Sequence, residues 1–128
     1  MDQLRKTSLT LFLAAIEFVA VGCGSQSPRV LQSVAVAPAT ADAQNFANGQ
    51  VQFTASGNYS QPPTPSTLTQ AEWSLNDPTI ATVSQTGLAQ CNPGAVGTVT
   101  VKAGTSGSCS GSDCTAVFIS GTAQLSCP

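Results

Sequence analysis

Histidine is absent from this 128-residue chain, and charge of either sign is scarce. Without an imidazole there is no Ser-His-Asp or Cys-His pair and no His-ligated metal. The cations are only Arg5, Lys6, Arg29 and Lys102, too few and too scattered to form a basic face, which argues against nucleic acid as a partner. The acids Asp2, Glu17, Asp42, Glu72, Asp77 and Asp113 include no close carboxylate pair, so general acid–base catalysis has no evident machinery and a non-enzymatic protein is expected. Asp77 and Asp113 are the acids to weigh as calcium ligands, but EF-hand spacing is missing and scattered acids make a poor cage, so no metal or other cofactor is expected. The length accommodates one domain and hardly two.

What is present begins with an address. A short cationic start (Arg5, Lys6) precedes a mostly apolar stretch, Thr7 to Val21, which ends in the small residues Gly22-Cys23-Gly24-Ser25. That order describes a secretory signal peptide over residues 1–22. The stretch is short for a bilayer span, which needs about 20 apolar residues, and Glu17 inside it would be costly in hydrocarbon. The competing reading, a buried helix of the domain, fits poorly with the Gly/Ser/Pro-rich segment that follows immediately; residues 23–29 read as a flexible tether. Ala20-Val21-Gly22-Cys23 resembles the bacterial lipobox. The resemblance implies that the Cys23 thiol is diacylglycerylated, the preceding peptide removed and the new N-terminus acylated. Two or three acyl chains exceed what stable membrane anchoring requires. The expected location is therefore the bacterial cell envelope, at the outer membrane or cell surface, with the membrane itself as a partner through the lipid anchor. Removing Cys23 from the account leaves an even set, Cys91, Cys109, Cys114 and Cys127.

Residues 30–128 form the candidate domain. From Cys23 onward, Leu, Ile, Val and Phe make up about 18% of the residues, while Ser and Thr are abundant. No window shows a helical apolar period over three turns. Short strand-like runs appear instead, at Val30–Ala37, Val51–Ala55, Ala71–Leu75, Ile80–Ser84, Leu88–Cys91, Thr98–Lys102 and Thr115–Leu125. Turn residues separate them: Gln61–Ser66 with three prolines, Asn76-Asp77-Pro78, Thr86-Gly87, Asn92-Pro93-Gly94 and the glycine/serine run Gly104–Asp113. About seven short strands in about 100 residues is the count of an all-β sandwich.

These residues also carry a resemblance. Ser33-Val-Ala-Val-Ala-Pro38, Gln52-Phe-Thr-Ala-Ser-Gly57, Trp73-Ser-Leu-Asn-Asp-Pro-Thr-Ile-Ala-Thr-Val83 and Gly97-Thr-Val-Thr-Val101 occur in the order found in bacterial immunoglobulin-like domains of group 2, known from intimin- and invasin-like surface proteins. The resemblance implies an immunoglobulin-like β-sandwich over Leu31–Leu125, serving adhesion, spacing or interaction with another surface protein. The four cysteines of the C-terminal third depart from the common family pattern.

Four cysteines allow three pairings. In an antiparallel hairpin of Thr98–Ala103 with Thr115–Ser120, paired residues share a nearly constant index sum; Cys109 with Cys114 gives 223 and Cys91 with Cys127 gives 218. Both fit one hairpin axis with a bulge, whereas any other pairing asks a cysteine at the tip to reach the base. Nested bridges, Cys91–Cys127 and Cys109–Cys114, are expected. Trp73 is expected at the centre of the core, with Val34, Val36, Phe53, Ile80, Val83, Val99, Val101 and Phe118 around it. The alternative function is a glycan-binding module that stacks sugars on Trp73, Tyr59 or Phe46. Asn58-Tyr-Ser60 fits a glycosylation sequon, to which the lipobox-like context gives no meaning.

Overall fold

A computed structural model describes residues 27–107 and 117–128. Among them the chain is nearly all β. Its strands are β1 (Leu31–Ala37), β2 (Thr40–Asp42), β3 (Gln50–Gln52), β4 (Thr54–Tyr59), β5 (Ser66–Thr67), β6 (Glu72–Leu75), β7 (Ala81–Val83), β8 (Leu88–Cys91), β9 (Gly97–Ser106) and β10 (Phe118–Cys127). Two three-residue 3-10 turns, Ala43–Asn45 and Ala47–Gly49, connect β2 to β3. No helix among the described residues is long and apolar enough to cross a membrane.

The strands form an immunoglobulin-like β-sandwich. One layer has the order β2-β10-β9-β6, in which β9 and β10 make a long antiparallel hairpin and β2 joins β10 in parallel. The other layer is built from β1-β4-β5 and β3-β8-β7. Its two parts meet at Phe53, where a run that the sequence presents as one strand divides. Before Phe53 the chain pairs with β8; after it, with β1. The backbone groups freed by this switch are satisfied locally: Phe53 N donates to Gly87 O at 2.8 Å, and Gln52 Nε2 donates to the carbonyls of Phe53 (2.9 Å) and Thr86 (2.7 Å).

The core is small and alanine-rich. Phe53, Leu125, Val51, Val99 and Val101 are its largest fully buried side chains, and Ala55, Ala81, Ala89, Ala103 and Ala123 fill the space between the layers. Val34, Val36, Phe53, Val99 and Val101 are buried as expected, with Ile80 and Val83 half-buried against them. Two expectations about the core need correction. Trp73 lies on β6, the edge strand of its layer, and is half-buried there; the centre belongs to Phe53. Phe118 is exposed. The parity of β10 explains this, because Ala123, Leu125 and Cys127 point inward and place even-numbered residues outside. Phe118 instead covers Gly104 on the outer face, with the Lys102 ammonium 5.5 Å from its ring centroid.

The β9–β10 register runs without a shift from Phe118↔Ser106 to Cys127↔Gly97, so among the described residues this hairpin has no bulge. β10 continues unbroken through Gly121. A Cβ at Gly121 would collide with the Val34 carbonyl, which is how closely β1 crosses β10. On this side the two layers nearly close.

Candidate functional site

The opposite side stays open. There the edges β5 and β6 leave a seam between the layers, bridged by the segment Leu68–Ala71. Three adjoining depressions of about 240, 410 and 220 Å³ follow the seam, and Thr69 borders all three. The first contains Leu31, Tyr59 and Thr105; the second Glu72, Trp73 and Gln85; the third Phe53, Leu68 and Thr86. Hydroxyl and amide groups alternate along this seam with apolar side chains such as Leu31, Phe53, Leu68 and Trp73.

Tyr59 and Trp73, two of the three aromatics singled out from the sequence, therefore meet at one seam. Phe46 lies elsewhere, exposed after the first 3-10 turn. Neither seam aromatic is a free platform. The Arg29 guanidinium stacks 3.5 Å from the Tyr59 ring centroid, while its Nε and Nη2 donate to the carbonyls of Gln61 (3.2 Å) and Pro63 (2.5 Å). Trp73 packs against the Thr86-Gly87 turn so tightly that a Cβ on Gly87 would sit 2.6 Å from the indole and 2.5 Å from Phe53 O. Gly87 also has φ +84°, so glycine is required there on both grounds.

The Arg29–Tyr59 clamp has no local sequence signature, since its partners are 30 residues apart. It fixes the chain's point of entry. Val30 N donates to Ser60 Oγ (2.9 Å), Ser60 N to Val30 O (2.8 Å), and Gln61 Nε2 to Ser27 O (2.6 Å).

The Asn-Asp-Pro corner links β6 in one layer to β7 in the other. Asn76 Oδ1 accepts from Thr100 N at 2.7 Å and Asn76 N donates to Thr100 O, tying the corner to β9. Asp77 Oδ1 accepts from Thr79 Oγ1 (2.6 Å) and Thr79 N (2.9 Å), closing an Asx turn. The Thr79 hydroxyl, then the Thr79 amide, hold the Asp77 carboxyl below its ordinary pKa. Asn92 Nδ2 completes the corner by donating to the carbonyls of Pro78 and Thr79. Asp77 thus serves the turn. Among the described residues no group of three or more potential metal ligands comes together. Asp42, another carboxylate, caps the first 3-10 turn through Gln44 N (3.0 Å). Asp113, the other candidate calcium ligand, lies outside the described residues.

Below that corner, Cys91 of β8 and Cys127 of β10 are joined by a disulfide, with Cα atoms 5.7 Å apart. Because β8 and β10 belong to different layers, the bridge staples the sandwich across its core. Cys23, Cys109 and Cys114 lie outside the described residues, as do residues 1–22, expected as a signal peptide, and residues 23–26 of the expected tether.

No curated protein matches the chain. Residues 30–116 match the family model of the bacterial Ig-like domain (group 2), a family that is generally non-enzymatic. That match spans more than half of the chain and stops short of β10, although β10 completes the hairpin and carries Cys127. With the sandwich, its Trp-bearing strand and its Asn-Asp-Pro corner in place, the chain belongs to the bacterial Ig-like domain (group 2) family.

Proposed function

We propose that the chain is a non-enzymatic lipoprotein of the bacterial cell envelope, in which the Ig-like domain acts as an adhesion, spacing or interaction module at the membrane surface. The observation that carries this reading is the junction at the N-terminus. A cationic start and an apolar stretch end at the lipobox-like Cys23, and the sandwich begins a few residues later, at Leu31. A lipid on Cys23 would hold a stapled, largely uncharged domain close to the bilayer with its other end facing outward. Another surface protein is the partner expected at that outer end.

Metabolic labelling with a palmitate analogue tests the anchor. Wild-type protein should be labelled and Cys23→Ser should not; equal labelling of both would remove the anchor from the account. Cross-linking on intact cells, followed by mass spectrometry, tests the module: reproducible cross-links to one surface protein support an interaction role, and their absence leaves spacing.

A further inference from the structure

The disulfide end of the sandwich, away from the end at which the chain enters, carries a reactive pair. There the chain leaves β2 at Asp42, opposite Ser126, and starts β3 at Gln50, opposite Gln90. Asn48-Gly49 lies between them, in the 3-10 turn Ala47–Gly49. We infer that Asn48 is a site of spontaneous covalent modification, at which its side-chain amide is converted to aspartate and isoaspartate through a cyclic imide closed on the Gly49 nitrogen.

The conversion needs only the chain and solvent water. The Gly49 amide gives up its proton, and its nitrogen attacks Cγ of Asn48. A new C–N bond forms, the Cγ–Nδ2 bond breaks, and Nδ2 leaves as ammonia with the proton. Water then opens the five-membered imide. Opening at Cγ gives aspartate; opening at the main-chain carbonyl gives isoaspartate, whose backbone is longer by one carbon. Either product adds one negative charge.

Of the five asparagines, this one is best placed to react. The attacking nitrogen belongs to the next residue, and glycine leaves it uncrowded. Asn45, Asn58 and Asn76 precede Phe46, Tyr59 and Asp77, whose side chains hinder the approach, and Asn92 precedes Pro93, which has no N–H. The fold adds to the contrast. Asn58 Nδ2 donates to Ser33 Oγ, Asn76 Oδ1 accepts from Thr100 N, and Asn92 Nδ2 is held by two carbonyls. Asn48 is exposed, and a Cβ on Gly49 would meet nothing within 4 Å, so the turn has room for the ring.

The same turn sets the pace. Asn48 alone among the described non-glycine residues has a left-handed φ, 58°, with ψ 18°. At that ψ the Gly49 nitrogen points away from Asn48 Cβ, whereas closure needs the two nearly eclipsed. The Gly49 N–H is also engaged, donating to Phe46 O at 3.1 Å. Closure therefore passes through a local opening that breaks this bond and rotates the peptide. Two exposed hydrogen bonds, this one and Gln50 N to Ala47 O, make a weak latch, so folding slows the reaction without stopping it.

The test ages the full-length oxidised protein in mildly alkaline heavy-oxygen water, folded and in urea, and maps it by peptic digestion and mass spectrometry. The Asn48 peptide should convert before any other asparagine peptide, incorporate the heavy oxygen and yield more isoaspartate than aspartate. Conversion should be severalfold faster in urea than in the folded protein. Gly49→Ala should slow it severalfold in urea, where the fold plays no part. Earlier conversion at another asparagine would overturn the assignment of the site. Equal rates folded and unfolded, or conversion in urea with none in the folded protein, would overturn the latch.

Discussion

The entry end and the disulfide end of this sandwich are held by different kinds of bond. At the disulfide end Cys91–Cys127 ties one layer to the other, and Asn76, Asp77 and Asn92 lock the nearby corner with side-chain hydrogen bonds. At the entry end residues 27–30 are held by the Arg29 guanidinium, stacked on Tyr59 and bonded to the carbonyls of Gln61 and Pro63, and by hydrogen bonds with Ser60 and Gln61, with no covalent link. A core rich in alanine has little apolar area to spare, so stability is concentrated where covalent and corner bonds lie.

Removing the bridge should break this contrast most strongly. Closing a loop of 36 residues is worth about 4 kcal/mol in the chain-entropy model, a large part of a small domain's stability. Cys91→Ala/Cys127→Ala should therefore lower the denaturant midpoint sharply, as should reduction of the wild type. Non-reducing peptide mapping should recover Cys91 linked to Cys127, and Cys109 linked to Cys114 if the hairpin axis extends through its loop.

Trp73→Ala comes next. A fully buried Trp would cost about 3–5 kcal/mol, and the half-buried position at the seam reduces this to about 2 kcal/mol. Urea unfolding with the bridge intact measures it; a change within about 0.5 kcal/mol would mean that the indole contributes nothing to the seam. Asn76→Ala leaves the Thr100 amide without its acceptor and should cost about 1 kcal/mol. Arg29→Ala should cost only about 0.5 kcal/mol, the value of an exposed cation–ring pair, yet speed amide exchange at Val30 and Ser60.

The smallest effect has a sign set by pH. Hydrogen bonds from Thr79 lower the Asp77 pKa in the folded protein, so ionised Asp77 adds stability above the ordinary carboxylate pKa and loses it as pH falls through the lowered one. The stability difference between wild type and Asp77→Asn should be flat near neutrality and shrink only on the acid side. A difference that grows with acidification would contradict the Asx-turn role.

How much of this was legible in the sequence depends on the range of the interaction. Val34 and Val36 of β1 and Val99 and Val101 of β9 face inward as the sequence leads one to expect, and the spacing of cysteines along the chain points to Cys91–Cys127. The break at Phe53 was not legible: Val51–Ala55 alternates perfectly, and the change of partner comes from Gly87, over 30 residues away. The parallel strand β2 was missed because three residues around Ala41 carry no period worth reading. The size of Trp73 points to the core, whereas strand order makes β6 an edge. Phe118 was misplaced for want of the hairpin's parity, which Ala123 and Leu125 supply. The seam and the Arg29 clamp depend on contacts between distant segments, and no local pattern announces them.

Native-state amide hydrogen exchange on the oxidised protein tests the division between the two ends most directly. Val99, Leu125 and Ala89, close to the bridge, should exchange only through global unfolding, with the full denaturant dependence, while Ser60 and Gly107 at the entry end should exchange orders of magnitude faster through local opening. Equal protection at both ends, or slower exchange at Ser60 and Gly107, would contradict it.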